Sequence, residues 1–124
     1  MAFDEALAER LRVLFKRVPT SAERRMFGGL CFLVSGRMCC GIVGRDLVVR
    51  VGPDRHDDAL RRPYTRPMDF TGRPMRGFIY VAPTGFRTAR SLSQWVERAV
   101  RFAGSLPLGP RGRRRPPRRT TAAG

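Results

Sequence analysis

Acidic residues are scarce in this sequence, and lysine is almost missing. The 124 residues include 10 Asp and Glu against 25 Lys and Arg, which gives a formal net charge of +15 at pH 7. Lys16 is the one lysine, so nearly all of the positive charge is carried by guanidinium groups. Such an excess attracts polyanions and acidic surfaces, and it carries no information about the fold.

Residues suited to metal binding or nucleophilic catalysis are also few. The chain has 3 cysteines, namely Cys31, Cys39 and Cys40, and His56 is its 1 histidine. Neighbouring strand residues point to opposite faces, so Cys39 and Cys40 are poorly placed to form a disulfide. His56 lies in the polar segment 54–58, where we expect it to be exposed, and the paired Cys-x-x-Cys spacing of zinc sites is missing. We therefore expect reduced thiols, no metal, no cofactor and no catalytic residue, which together indicate that the protein is not an enzyme.

Long hydrophobic runs are missing as well. An apolar stretch such as Leu30 to Val34 is far shorter than the roughly 20 residues that a membrane span needs. Asp4, Glu5 and Glu9 stand where a secretory signal peptide would carry positive charge. We expect a cytoplasmic protein without a membrane partner.

The residues that are present suffice for one folded domain followed by a tail. A hydrophobic fraction of 42% is ordinary for a globular core, and 124 residues fit a single domain. Residues 107–124 are rich in Pro, Gly and Arg, so we predict a domain over 1–106 and a disordered tail over 107–124. The tail has six arginines and no acid, the arginines being Arg111, Arg113, Arg114, Arg115, Arg118 and Arg119.

Hydrophobic periodicity predicts helices at both ends of the domain. Between residues 4 and 18 the apolar side chains recur at three-and-four spacing, with Asp4 as the N-cap. A second such stripe occupies 91–106. Asp54 is expected to cap a short helix between them, which ends near Leu60.

Strand-like runs separated by short glycine-containing turns occupy the middle of the chain. They span 30–34, 38–43 and 47–51, and a further strand is predicted over 78–81. Residues 63–77 contain three prolines, which indicates an ordered loop with a brief extended piece near Met68–Phe70. This order predicts an α+β two-layer sandwich, in which helices cover an antiparallel sheet in the order α-β-β-β(β)-α-β-β-α.

Three segments of the domain carry recognisable motifs. They are Met26-Phe27-Gly28-Gly29-Leu30, then Leu47 to Gly52, then Arg66-Pro67-Met68-Asp69-Phe70-Thr71-Gly72-Arg73-Pro74-Met75-Arg76-Gly77. Together they resemble the N-terminal domain of the TfoX/Sxy family, which is named for a bacterial regulator of natural competence. The helix that contains Trp95 fits as well, so the likeness spans roughly residues 3–106.

The resemblance implies a fold like that of type III secretion chaperones. In the best-known members it implies a cytoplasmic role in the transcriptional activation of competence genes, together with the cyclic-AMP receptor protein. Those members carry a second, helical domain, where this chain has the arginine-rich tail. We therefore expect a protein partner in the transcription machinery, and the pairing of secretion-chaperone-like sheets suggests a homodimer by analogy of fold.

Two of the family motifs are candidate binding surfaces. Met26, Phe27, Gly28 and Gly29 form either a binding loop or a turn whose glycines allow a sharp bend. In the longer motif, the arginines suit phosphate or carboxylate and predict an anion site, whereas the alternative is an ordered loop with solvated arginines. The members of this second candidate are Arg50, Arg66, Pro67, Met68, Phe70, Gly72, Arg73, Met75, Arg76 and Gly77.

The tail supports a further hypothesis. Its arginines would contact nucleic-acid phosphates without reading bases, and the alternative is a solubilising extension. No aromatic platform of the RRM type and no helix-turn-helix is recognised, so sequence-specific recognition is not expected. The functional hypotheses are thus a regulatory protein acting through protein contacts near DNA, a sensor of anions or small ligands, and a non-specific nucleic-acid accessory protein.

Deletion of residues 107–124 tests the role of the tail. If the tail supplies the nucleic-acid affinity, the truncated chain is expected to lose most of its binding to duplex DNA at low salt, because counterion release scales with the number of phosphates engaged. Fluorescence anisotropy with a labelled duplex across a salt series measures this loss. Equal affinity and an equal salt slope in the two proteins would exclude the tail hypothesis.

Overall fold

A computed structural model describes residues 3–26, 28–70 and 72–106. Its helices are α1 (Glu5–Phe15), α2 (His56–Leu60) and α3 (Ala89–Ser105). Its strands are β1 (Ser21–Met26), β2 (Gly29–Val34), β3 (Arg37–Val43), β4 (Asp46–Arg50), β5 (Thr65–Phe70) and β6 (Arg73–Val81). Two 3-10 helices, Pro53–Arg55 and Pro83–Phe86, precede α2 and α3.

The six strands form one antiparallel sheet in the order β1-β2-β3-β4-β6-β5. From β1 to β4, strands that follow one another in the chain lie side by side, because short turns join them. The chain then passes through α2 and returns as the β5–β6 hairpin, whose second strand pairs with β4. The predicted α+β class and the antiparallel sheet are confirmed.

Local signals explain where the two long helices begin. The Asp4 carboxylate accepts hydrogen bonds from the backbone N–H groups of Ala6 and Leu7, at 2.9 and 3.4 Å, as predicted for an N-cap. At the start of α3, Thr88 and Ser91 form a reciprocal capping box. Both caps satisfy backbone donors that the first turn of a helix leaves without an intrahelical partner.

α1 and α3 pack on one face of the sheet. Leu11 of α1 and Trp95 and Ala99 of α3 belong to one buried cluster with strand residues. At the end of α1, the ring of Phe15 stacks on that of Phe32 in β2, with centroids 4.8 Å apart and an interplanar angle of 15°. Each large apolar side chain buried in this way contributes about 1.5–3 kcal/mol. This face holds the larger hydrophobic core.

A second apolar cluster lies on the other face of the sheet, and all of its members belong to strands. We term this surface the strand face. Its buried centre consists of Cys31, Leu33, Met38, Val48 and Met68. Its partly buried rim consists of Met26, Val43, Met75, Phe78 and Tyr80.

β1 was located only by the structure. The predicted order allowed for a fourth strand in the first run, but the sequence pattern did not place it. β1 is an edge strand, and four of its six residues are exposed because just one neighbour, β2, covers it. An edge strand with polar side chains has no hydrophobic alternation to reveal it.

The prediction of a loop over residues 63–77 was wrong for most of this segment, although the extended piece expected near Met68–Phe70 lies within β5 and the predicted order of two strands after the short helix is confirmed. This segment forms most of the β5–β6 hairpin, which turns at Gly72 with φ of 78°. Pro67 is tolerated because β5 is an edge strand that needs no second hydrogen-bonded partner. Pro74 lies in the half of β6 that extends beyond β4, since β4 pairs with residues 78–81.

The prediction that His56 is exposed was also wrong. His56 is the first residue of α2, and only 8% of its surface is accessible. Asp54 does not cap α2, because this helix has no side-chain cap. The backbone N–H of Gly77 in β6 donates a 2.9 Å hydrogen bond to Nδ1 of His56. The histidine is buried because α2 packs against β6, a contact that neighbours in sequence do not reveal.

The two glycines of the first family motif serve different purposes. Gly28 has φ of 72°, in the left-handed region that glycine adopts without strain, and space around it is open. Gly29 begins β2, and a Cβ atom there would overlap the backbone carbonyl of Ile42 in β3. Gly28 therefore allows the turn, whereas Gly29 allows the close approach of two backbones.

Gly29→Ala is expected to destabilise the protein by about 3 kcal/mol, because the β3 backbone cannot yield without disturbing the sheet. Gly104→Ala is the matched control, since a Cβ there meets open space and alanine favours a helix by roughly 0.5–1 kcal/mol. Urea denaturation of both variants and the wild type measures the free energies of unfolding. A Gly29→Ala protein as stable as the wild type would contradict the described packing of β2 on β3.

Candidate functional site

Arg50 lies between two aromatic rings. Its guanidinium carbon is 5.1 Å from the ring centroid of Phe78 and 5.3 Å from that of Phe102. Burial lowers the pKa of Arg50, and the positive charge of Arg37 lowers it further. The two rings therefore cover part of the Arg50 side chain, and only the rest of it is accessible to a ligand.

Arg66 occupies a comparable position on β5. Its guanidinium donates a 2.8 Å hydrogen bond to the Asp46 carboxylate and lies 4.4 Å from the centroid of the Tyr80 ring. Because Phe78 and Tyr80 both belong to the strand face, Arg50 and Arg66 flank two aromatic residues on that surface. The structure brings these two predicted site residues near the same strand, β6.

The other predicted arginines lie elsewhere. Arg76 forms a 3.5 Å ion pair with Asp57 of α2, and Arg73 is exposed at the start of β6. Arg50 and Arg66 thus lie beside aromatic rings of β6, whereas Arg76 pairs with an acid of α2. The anion site suggested by the sequence stays a prediction. The tail arginines, Arg111 to Arg119, lie outside the described residues.

The apolar members of the two motifs support the strand face. Met68 is fully buried there, and Met26 and Met75 are partly buried at its rim. These positions agree with the alternative interpretation, in which the motifs hold the chain against a core. Two members, Phe27 and the side chain of Phe70, lie outside the described part of the chain.

Gly77 joins β6 to the segment that follows β4. Its carbonyl accepts hydrogen bonds from the backbone N–H groups of Val51 and Gly52, at 2.8 and 3.1 Å. Its own N–H donates to His56. The residue has φ of 92°, and an added Cβ would lie 3.0 Å from the carbonyl carbon of Gly52. We term this set of contacts the Gly77 junction, and only glycine fits its centre.

A cleft of about 740 Å³ opens between α3 and the segment held by the Gly77 junction. Its lining comes from α3, from residues 51–52, 54–55 and 62–64, and from residues 84–85. We term it the cationic cleft, because its charged lining consists of Arg55, Arg62, Arg98 and Arg101 against Asp54 and Glu97.

Arg98 is the least exposed of the four cleft arginines. Burial lowers its pKa most, and the positive charge of Arg62 lowers it next. Asp58, whose carboxylate is 3.9 Å away, opposes this effect, whereas Arg55 and Arg101 add to it. Arg98 therefore experiences a field from several like charges that one acidic neighbour does not cancel.

Aromatic side chains shape the cleft. The indole N–H of Trp95 donates a 3.2 Å hydrogen bond to the carbonyl of Gly85, and the Arg98 guanidinium lies 5.4 Å from the Trp95 ring centroid. Tyr64 is 55% exposed and has φ of 66°, a left-handed conformation that costs a bulky residue free energy. Its carbonyl accepts a 2.8 Å bond from the N–H of Ala82, which holds the backbone in place.

This geometry suits the binding of an anion. Guanidinium groups form paired hydrogen bonds with carboxylates and phosphates, and a partly enclosed site strengthens them by limiting competition from water. Among the described residues, no group of three or more His, Cys, Asp or Glu side chains could hold a metal ion. The cleft therefore offers positive charge and aromatic surface rather than metal ligands.

Cys31, Cys39 and Cys40 are buried, and none of them forms a disulfide. Burial raises the pKa of the Cys31 thiol to about 11. The pKa of Cys40 is raised by a hydrogen bond with Cys39 and by burial. Since the thiolate is the nucleophilic form, these surroundings do not activate the thiols of Cys31 and Cys40. Nδ1 of His56 already accepts the Gly77 N–H, so it is engaged in structure.

Sequence reasoning missed the cationic cleft, although α3 carries a signal for it. Trp95, Arg98 and Arg101 follow one another at intervals of three residues, which places them on one side of the helix. Arg55 and Arg62 stand at either end of α2, and only its packing brings them opposite α3. The spacing along α3 could therefore have predicted that Trp95, Arg98 and Arg101 share one side of the helix. It could not have predicted that Arg55 and Arg62 lie opposite them.

His56→Ala is expected to destabilise the protein by roughly 1–3 kcal/mol, because the buried N–H of Gly77 loses its acceptor. His56→Asn is the comparison, since its side-chain carbonyl can accept the same hydrogen bond. Thermal unfolding of the full chain measures both variants. If the His56→Ala protein has the same melting temperature as the wild type, the Gly77 junction does not stabilise α2 as described.

Comparison with known proteins gives one match. A family model described as TfoX N-terminal domain matches residues 13–103. No curated protein and no solved structure matches the chain. In the described part of the chain, no helix is both long and apolar enough to cross a membrane. The matched region runs from the last turn of α1 through nearly all of α3. It therefore includes the strand face, the Gly77 junction and most of the cationic cleft. The chain therefore belongs to the TfoX N-terminal domain family.

Proposed function

We propose that this protein is a non-catalytic regulatory protein, which acts in transcriptional or competence-type regulation through contact with a protein partner near DNA. The proposal assigns the cationic cleft as the contact site for an acidic segment of that partner. The observation that carries it is the gathering of four arginines around one concave surface.

The balance of charge in the cleft favours such a partner. Like charges that lie close together raise the free energy of the unbound protein, and the lowered pKa of Arg98 reflects both burial and its positive neighbours. A carboxylate entering the cleft would relieve this repulsion and form hydrogen bonds with the guanidinium groups. Binding is therefore selective for negative charge.

The mixed lining favours a protein segment over the uniform backbone of duplex DNA. Val51, Trp95 and Phe102 add apolar surface to the cleft, and Tyr64 adds an exposed ring. Arginine and aromatic residues are enriched in the centres of protein–protein interfaces, where they provide most of the binding free energy. A partner that alternates acidic and apolar side chains would use both kinds of surface.

The dimensions of the cleft also favour a second candidate, which is the sensing of a small anion. Its volume of about 740 Å³ lies within the range of small-molecule sites. In this alternative, a phosphate-bearing metabolite would occupy the cleft and control partner binding elsewhere. The sensor hypothesis drawn from the sequence thus moves from the longer family motif to the cationic cleft.

Charge reversal at two exposed cleft residues tests the proposal. Arg62→Glu combined with Arg101→Glu is expected to lower the affinity for the protein partner by about 30-fold or more, because losing a paired charge in an interface costs roughly 2–5 kcal/mol. Affinity purification of the tagged full chain from its native cells, with nuclease treatment in parallel, identifies the partner. The purified partner is then titrated against wild type and variant.

Arg45→Glu combined with Arg90→Glu is the matched control, since it makes the same change in charge at exposed positions outside the cleft. The control is expected to bind like the wild type. Equal loss in both variants would show that net charge, and not the cleft, attracts the partner. If only small phosphate-bearing compounds raise the melting temperature, and the cleft variant abolishes this, the sensor alternative replaces the proposal.

A further inference from the structure

The strand face carries two aromatic residues in a regular arrangement. Phe78 and Tyr80 are two positions apart on β6, so their side chains project from the same side of the sheet. In the register of the sheet, Phe78 lies opposite Arg50 of β4, and Tyr80 lies opposite Arg66 of β5. An arginine from each neighbouring strand therefore stands beside an aromatic ring.

Both rings are partly exposed and stacked with guanidinium groups. Arg66 lies 4.4 Å from the Tyr80 centroid, and 53% of its side chain is accessible to solvent. Arg50 lies 5.1 Å from the Phe78 centroid and is half-buried. Arg66 has one aromatic neighbour, so the other side of its guanidinium plane is available to a further flat group, whereas Arg50 has Phe102 as a second aromatic neighbour at 5.3 Å. Nucleobases are flat groups that stack on aromatic rings and on arginine alike.

The sequence of β6 partly matches the pattern of a known stacking platform, contrary to the expectation that the chain carries none. Residues 76–83 read Arg-Gly-Phe-Ile-Tyr-Val-Ala-Pro, and the RNA-binding pattern is Lys or Arg, Gly, Phe or Tyr, Gly or Ala, Phe, Val, any residue, and Phe or Tyr. Tyr80 stands where the pattern has Phe, and Pro83 stands where it ends in an aromatic residue. Ile79 departs from it at the small position, where it is fully buried on the helix side. The strand order here differs from that of a four-stranded RRM sheet, so the likeness concerns one surface and not the fold.

The charge around this surface is complementary to a nucleic-acid backbone. Arg24 on β1 pairs in register with Cys31 of the strand face and is exposed, and it adds to Arg50 and Arg66. Asp46 forms an ion pair with Arg66, but that pair is open to solvent and therefore weak. A phosphate can replace the carboxylate at little cost.

We propose that the strand face binds single-stranded nucleic acid. Successive bases stack on the partly exposed ring of Phe78 and on the Tyr80–Arg66 pair, and phosphates meet the exposed arginines at the edges of the face. Unpaired bases are required, because the bases of a duplex are stacked on one another and do not reach a flat sheet. Arg50 also lies 5.3 Å from the ring centroid of Phe102 in α3, which lines the cationic cleft, so the two surfaces meet at Arg50. Phe78 and Tyr80 do not line the cleft, and variants at these two positions therefore test the inference separately from the partner proposed for the cleft.

Fluorescence anisotropy of the full chain with labelled ten-nucleotide probes tests this inference. The probes are oligouridylate for RNA, oligothymidylate for DNA, and a duplex of matched length. Phe78→Leu and Tyr80→Leu retain apolar bulk but remove the flat ring, and each is expected to weaken single-strand binding on the order of tenfold. Tyr80→Phe keeps the ring and is expected to bind like the wild type.

Tyr64→Leu is the matched control, because it removes an exposed ring in the cleft. It is expected to leave single-strand binding unchanged. Inorganic polyphosphate, which has charge but no bases, is expected to compete with the labelled strands far less than unlabelled oligonucleotide does. The tighter of the two single-stranded probes identifies whether RNA or DNA is preferred.

Two results would overturn the inference. One is wild-type affinity in both leucine variants, and the other is equal competition by polyphosphate and oligonucleotide, which would assign the binding to charge alone. Ultraviolet cross-linking of bound oligouridylate provides a readout that does not depend on the stability of variants. The cross-linked peptide is expected to contain Phe78 or Tyr80, and cross-links confined to other segments would contradict the assignment.

Discussion

The Gly77 junction is the constraint on which the functional surfaces depend. One residue with φ of 92° donates its N–H to His56 and accepts the N–H groups of Val51 and Gly52, so that it fixes α2 to the end of β4. A side chain at this point would meet the Gly52 backbone. Because these hydrogen bonds hold α2 beside β6, Arg55 and Arg62 at its two ends lie opposite α3. Together with α3 they line the cationic cleft.

A protein with so few acids must accommodate its arginines by other means, and aromatic rings serve this purpose throughout the domain. Arg10 lies over Phe86, Arg25 over Phe3, and Arg98 over Trp95, in addition to the pairs on the strand face. Each such contact stabilises by about 0.5–1 kcal/mol where exposed and more where water is excluded. These pairs leave the guanidinium edges free to donate hydrogen bonds, so a stabilising contact and a binding surface can share one side chain.

The two proposed surfaces differ in the physical property that selects their ligands. The cationic cleft is concave, and its selectivity rests on positive charge that its own acids do not balance. On the strand face, the proposed binding depends on the aromatic rings of Phe78 and Tyr80, on which bases stack. The positive charge of the neighbouring arginines is secondary there. If the cleft binds a protein partner and the strand face binds single-stranded nucleic acid, the same sheet connects the two ligands. Such a protein would hold its partner close to the nucleic acid. Membership of the family agrees with such a role without specifying either ligand.

The amino-acid sequence by itself determined the elements whose signals are local. The apolar stripes and caps of α1 and α3, the strands β2 to β4 with their glycine turns, and the family motifs all follow from spacing within a few residues. Tertiary structure alone decided the edge strands, the burial of His56 and the cationic cleft. β1 and β5 are polar or proline-containing because an edge position tolerates such residues, and that position is set by distant partners. His56 and the arginines beside α2 acquire their surroundings from β6 and α3, so no pattern within their own segment could reveal what they contact.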